Sequence, residues 1–108
     1  SEIEFGAASS ANVQFINSIV SKSTKGGTLT LDDAVHYTGA ITGWAKGVDH
    51  IDLANVLLAG ATETFASNVL TIKHGAKVDA TIHFTGLSGT ISNNFTFGND
   101  GTGHLLIS

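Results

Sequence analysis

Apolar and polar residues alternate along this chain in short runs, and Gly, Asn or Asp separates one run from the next. Thr28-Leu29-Thr30-Leu31 alternates strictly, with the period of two that marks a half-buried strand. Val78 to Phe84 does the same. That puts Val78, Ala80, Ile82 and Phe84 on one face and leaves Asp79, Thr81 and His83 to solvent. Val69 to Ile72 comes just before, and Lys73 to Lys77 is read as the loop of a hairpin joining the two. A second hairpin is expected from Phe95 to Phe97 and Leu105 to Ile107, closed by Asn99-Asp100-Gly101-Thr102-Gly103. Further strands are expected at Tyr37 to Thr42, Asp49 to Leu53 and Glu63 to Phe65.

Helical periodicity is weak. The best stretch is Asn12 to Val20, where Val13, Ile16 and Val20 fall near helical spacing. The same residues also read as a strand, Val13 to Ile16, followed by a polar loop from Asn17 to Gly27. The strand is preferred, because the rest of the chain is strand-like. The predicted class is therefore all-β. Short strands at roughly ten-residue spacing suit a short β-roll or β-helix-like solenoid with terminal hairpins; the alternative is an antiparallel β-sandwich. Loose glycine spacing favours stacked rungs in the N-terminal half, and the two hairpins dominate the C-terminal half.

With 108 residues and 42% apolar content, the chain suits one domain with its own core. Residues 6–108 are taken as that domain, and Ser1 to Phe5 as a remnant carrying no structural information. Methionine is absent even at position 1, so the chain is expected to be a processed or excised piece of a longer polypeptide. No cysteine is present, so neither disulfides nor thiol chemistry arise. Proline is also absent, which leaves the turns to Gly, Asn and Asp.

Charge narrows the partners. Nine carboxylates face five lysines, there is no arginine, and the net charge is −4. That balance argues against nucleic acid and against anionic membranes. No apolar run approaches the length of a membrane span, so membrane insertion is not expected. Strand edges with no proline to guard them leave an edge-strand homodimer open.

The succession Gly27 to Asp33, Tyr37 to Trp44 and Asp49 to Val56, then Val69 to Ile72, Ala80 to Phe84 and Asn99 to His104, resembles a β-module repeated in large secreted proteins of rhizobia and related bacteria. These are adhesin-like and RTX-associated surface proteins. The resemblance spans roughly Phe5 to Ile107. It implies an extracellular or cell-surface, non-catalytic unit, often present in tandem. The expected function is that of a spacer or adhesive unit, with a surface protein or glycan as its partner. One departure stands out: where such modules usually carry Phe after Thr-Gly, this chain has Trp44.

Two chemistries compete with that reading. A carbohydrate-binding module of a secreted enzyme would use exposed aromatic plates. Trp44 and Tyr37 are the only Trp and Tyr, and His50 is the nearby polar candidate. If Tyr37 to Trp44 were one strand, Trp44 would lie opposite Tyr37 and Ile41 and face solvent. A calcium-stabilised β-roll segment would use Asp32, Asp33, Asp49, Asp52, Asn99 and Asp100, since calcium takes six to eight hard oxygens. Neither the RTX nonapeptide nor an EF-hand loop is present. The five histidines lack zinc spacing, and Gly86-Leu87-Ser88-Gly89 is no nucleophile elbow, so no catalysis is expected.

Overall fold

The computed structural model describes residues 2–15, 18–20 and 23–108, without the side chains of 18–20 and 23–25. Its strands are β1 (Glu2–Phe5), β2 (Val13–Gln14), β3 (Ser18–Val20), β4 (Ser23–Lys25), β5 (Thr28–Leu31), β6 (Ala40–Thr42), β7 (His50–Leu57), β8 (Ala61–Ala66), β9 (Val69–His74), β10 (Lys77–Phe84), β11 (Phe97–Asn99) and β12 (His104–Ile107). One 3-10 turn, Ala34–His36, and one short helix, α1 (Ile91–Asn94), interrupt them. The all-β expectation holds.

Two five-stranded mixed sheets carry the fold, ordered β1-β5-β7-β12-β11 and β2-β6-β10-β9-β8. Within the first, β1, β5 and β7 run parallel, and β12 and β11 follow antiparallel. Within the second, β2, β6 and β10 run parallel, and β9 and β8 follow antiparallel. This parallel half departs from an antiparallel sandwich. Both expected hairpins of the C-terminal half form, β9–β10 and β11–β12, with shifted bounds: β9 runs on to His74 and β10 starts at Lys77, and β11 is Phe97–Asn99 where Phe95 to Phe97 was expected.

Register aligns like residues from strand to strand. Ile3, Leu29 and Ile51 share one column, and Phe5, Leu31 and Leu53 share the next. Ile107 and Leu105 of β12 extend the two columns. In the second sheet Val13, Ile41 and Phe84 align in the same way. Between the sheets Ser9 bridges to Tyr37 in parallel. The alternation of β5 (intermediate, buried, intermediate, buried) sends Leu29 and Leu31 inward, as the sequence pattern requires. One continuous apolar core results, to which both sheets contribute. At about 25 cal/mol per Å², such burial is the main stabilising term.

Three local expectations fail for physical reasons. Residues 2–5, set aside as uninformative, form β1 in parallel register with β5. The loop expected from Asn17 to Gly27 contains the β3–β4 hairpin; Asn17, Ser21 and Lys22, with Ile16 of the expected Val13–Ile16 strand, lie outside the described residues. A bulge between Val78 and Ala80 shifts the phase of β10. Ala80, Ile82 and Phe84 are buried as predicted, but Val78 is exposed and Asp79 is drawn into a partly buried ion pair.

Candidate functional site

The outer face of the first sheet gathers carboxylates. Glu4, Thr30, Asp52 and Leu106 lie in register across β1, β5, β7 and β12. Asp32 follows β5 directly and hydrogen-bonds Glu4, which raises the Glu4 carboxyl above its ordinary value, the like charge of Asp32 adding to the effect. Asp100 enters from the β11–β12 turn beside Asp52. Burial pushes the Asp52 carboxyl up to about 6, and the hydrogen bond and negative charge of Asp100 push the same way. His104 opposes the rise. Asp52 Oδ1 is buried and has no hydrogen-bond partner among the described residues.

Asp100 owes its position to turn chemistry. Its Oδ1 accepts the Thr102 N–H at 2.7 Å, the Thr102 hydroxyl at 2.6 Å and the His104 N–H at 3.3 Å. Those donors, the Thr102 hydroxyl first, hold its carboxyl well below the usual carboxylate range. Neighbouring Asn99 Oδ1 accepts the N–H groups of Gly101 and Gly103 at 2.7 and 2.9 Å. Both side chains serve as Asx-type staples of this turn.

Of the six candidate calcium residues, Asp32 and Asp100 both act on Asp52, and Asn99 sits beside Asp100 with its Oδ1 taken by the Gly101 and Gly103 N–H groups. Asp33 pairs instead with His36 Nδ1 at 2.8 Å. Asp49 is fully buried, and its two oxygens accept the N–H groups of Gly27 at 3.3 Å and Ala45 at 2.8 Å. The expectation that Asp49 and Asp33 sit free at strand ends as ligands is corrected: backbone donors or a histidine occupy their oxygens. Among the described residues no group of three or more His, Cys, Asp or Glu side chains is arranged to hold a metal ion.

The aromatic candidates are corrected as well. Trp44 is 8% exposed, and its ring centroid lies 5.6 Å from each of Phe15, Phe84 and Phe95. Its indole N–H donates to the Asn94 carbonyl at 2.8 Å. Gly43 adopts φ +74°, a left-handed turn that ends the strand alternation and swings Trp44 back into the core. Tyr37 is buried against Phe5, and its hydroxyl donates to the Ala11 carbonyl at 2.7 Å. His50 lies on the outer face of β7, with Nδ1 2.9 Å from the Ser108 hydroxyl. No exposed aromatic plate remains at Trp44 or Tyr37.

Two features escaped the sequence. One is a cleft of about 290 Å³ lined by Asn55, Leu57, His74, Lys77 and Asp79. There His74 Nδ1 contacts the Asp79 carboxylate and Nε2 lies 3.1 Å from the Ala59 carbonyl. Lys77 Nζ stands 3.5 Å from the other oxygen of Asp79. Two acceptors facing both ring nitrogens call for an imidazolium, and the Asp79 hydrogen bond raises the His74 value accordingly. The spacing His74-x4-Asp79 across a hairpin loop was the available signal. The second feature is a cleft of about 190 Å³ beside β1 and β2, bordered by Ile3, Val13, Phe15 and Leu29.

Neither a protein-family model, nor a curated protein, nor a solved structure matches this chain.

Proposed function

We propose that the chain is a non-catalytic module of a larger secreted or cell-surface bacterial protein, acting as a spacer or adhesive unit. Its stacked parallel rungs are read as a short β-solenoid closed at one end by hairpins. The observation that carries this reading is the repeated parallel register: β1, β5 and β7 in one sheet, β2, β6 and β10 in the other, with like residues in columns. Each rung supplies half of the next rung's core, so the unit lends itself to extension and to tandem use. Mechanism then lies in shape and valency, because linked copies raise effective concentration without any new contact. The sequence resemblance to repeated adhesin-like modules points the same way. The burial of Trp44 and Tyr37 in the core favours this reading over a sugar-stacking module.

The test is thermal melting followed by Trp44 emission, with calcium, with chelator and against a glycan panel. The spacer reading expects one melting temperature throughout. A calcium site at a hundred times its dissociation constant would add about 2.7 kcal/mol, a shift of several degrees. Such a shift would replace this reading with a calcium-stabilised roll. A glycan-dependent shift would replace it with a carbohydrate-binding module.

A further inference from the structure

Among the described residues β1 is the edge strand of the first sheet, with no strand paired on its outer side. The Phe5 carbonyl accepts the Asp32 N–H at 3.1 Å, so the backbone groups of Phe5, and of Ile3 two residues earlier, turn toward β5. The N–H and C=O groups of Glu2 and Glu4 therefore turn to the free side, because these directions alternate along a strand. Ile3 is 47% exposed, although Leu29 and Ile51 in the same column are fully buried. The cleft bordered by Ile3, Val13, Phe15 and Leu29, with Gln14 and Thr28 among its walls, opens beside it. An unpaired row of backbone groups next to an uncovered apolar column is a template for another strand.

We propose that this edge accepts an extended peptide strand alternating apolar and basic residues, added to β1 through main-chain hydrogen bonds. Apolar side chains of the added strand prolong the Ile3-Leu29-Ile51 column and cover the cleft. Basic side chains fall on the opposite face, beside Glu2 and Glu4. That face carries excess negative charge: Glu4 bonds Asp32, and Asp32 and Asp100 both act on Asp52. Among the described residues the cation-capable side chains on that face are two histidines, His104, which acts on Asp52, and His50, in register with Glu2 through Thr28. The lysines with described contacts point elsewhere, Lys46 to the Ser92 carbonyl and Lys77 to Asp79. Charge complementarity therefore selects a cationic strand, and strand addition supplies the affinity.

A second copy of this chain fits the edge less well. Two-fold antiparallel pairing of β1 with itself must keep apolar side chains on one face, so Ile3 meets Ile3 and Glu2 meets the partner's Glu4. Like charges directly opposite destabilise a pair. The inference concerns the edge itself and stands whether or not the parent protein is a surface protein.

The experiment titrates isotope-labelled protein with a capped heptapeptide alternating lysine and isoleucine, and separately with its glutamate counterpart, following backbone amide signals. Expected are shifts confined to residues 2–5 and 13–15 with the lysine peptide, weakening with salt, and none with the glutamate peptide. The double variant Glu2→Lys/Glu4→Lys, checked for an unchanged Trp44 emission, should bind the lysine peptide at least about ten-fold more weakly. The proposal is overturned by no shifts, by shifts on β8 or β11 instead, by equal binding of both peptides, or by peptide-free dimerisation through β1. The peptide contrast and the salt dependence are read on the unaltered chain, so the outcome does not hang on the variant folding.

Discussion

Asp49 reaches back twenty-two residues to accept the Gly27 N–H at 3.3 Å, and its other oxygen accepts the Ala45 N–H at 2.8 Å. The carboxylate is fully shut off from solvent, and the chain closes tightly around it. A Cβ on Gly26 would fall 2.1 Å from the Val48 carbonyl oxygen and 2.6 Å from Asp49 Oδ1. The link ties the start of β5 to the start of β7, and so sets the register of two parallel strands. Asp49→Ala is expected to cost about 2–4 kcal/mol, because two backbone donors lose their acceptor. Asp49→Asn should cost less, since an amide oxygen can replace one of the two. Urea unfolding measures both; an alanine variant within about 0.5 kcal/mol of the parent would remove this role.

Trp44 holds the aromatic cluster, and Gly43 aims it. Trp44→Ala is expected to cost about 3–5 kcal/mol, the range for deleting a large buried side chain. Trp44→Phe keeps a ring but loses the indole bond to the Asn94 carbonyl, worth roughly 1 kcal/mol. Gly43→Ala should destabilise strongly, because φ is +74° and a Cβ would sit 2.1 Å from the Phe15 carbonyl oxygen. The native emission should be blue-shifted and should move red only on unfolding. A native emission maximum like that of free tryptophan in water would contradict the buried position.

The Asp52–Asp100 pair gives stability a pH dependence of unusual sign. Asp52 rises from 3.8 to about 6 on folding, so the native state binds more protons than the unfolded state between those values. Its contribution is full below pH 3.8 and is lost as pH rises through about 6. Asp100 works oppositely: its lowered value adds stability above the ordinary carboxylate range, lost as pH falls toward its folded value. Asp52→Asn is expected to flatten the decline between pH 4 and 6 and to leave the acid-side loss in place. Denaturant midpoints across pH 3 to 8 report both limbs, and an unchanged slope in the variant would assign the decline to another group.

His74 joins β10 to the β7–β8 turn through its two ring nitrogens, one to Asp79 and one to the Ala59 carbonyl. Its folded value lies above the ordinary 6.5. Its contribution is therefore complete at acidic pH and is lost as pH rises through the folded value. His74→Gln should make amide exchange near Ala59 and Gly75 faster at pH 6 and leave it nearly unchanged at pH 9. The Lys77 ammonium and the Asn55 side chain border the same cleft, so Lys77→Gln serves as the control for a purely charge-driven effect. Equal exchange in parent and His74→Gln protein at pH 6 would rule the link out.

Alternation predicted β5 and most of β10, and short runs between turn residues gave β8, β9 and, with shifted bounds, both C-terminal hairpins. A period of two is a local property, and any strand with one buried face displays it. The inward set Leu29, Leu31, Ile82 and Phe84 was legible for the same reason. The candidate site was legible only in part. Asp52 and Asp100 stood among the candidate ligands, but they are forty-eight positions apart, and only the β7–β12 pairing brings them into one hydrogen-bonded pair.

The sequence by itself determined the strand class, the absence of thiol chemistry, the acidic balance and the turns built on Asn99 and Asp100, because each follows from residue type and near neighbours. Tertiary structure decided the rest. A single left-handed glycine at 43 turned Trp44 from the predicted outer face into the core, and one bulge in β10 made Asp79 a partner of His74. Parallel pairing made residues 2–5 the edge of a sheet, a position no local pattern encodes, since parallel partners such as Glu2 and Thr28 lie far apart in the chain.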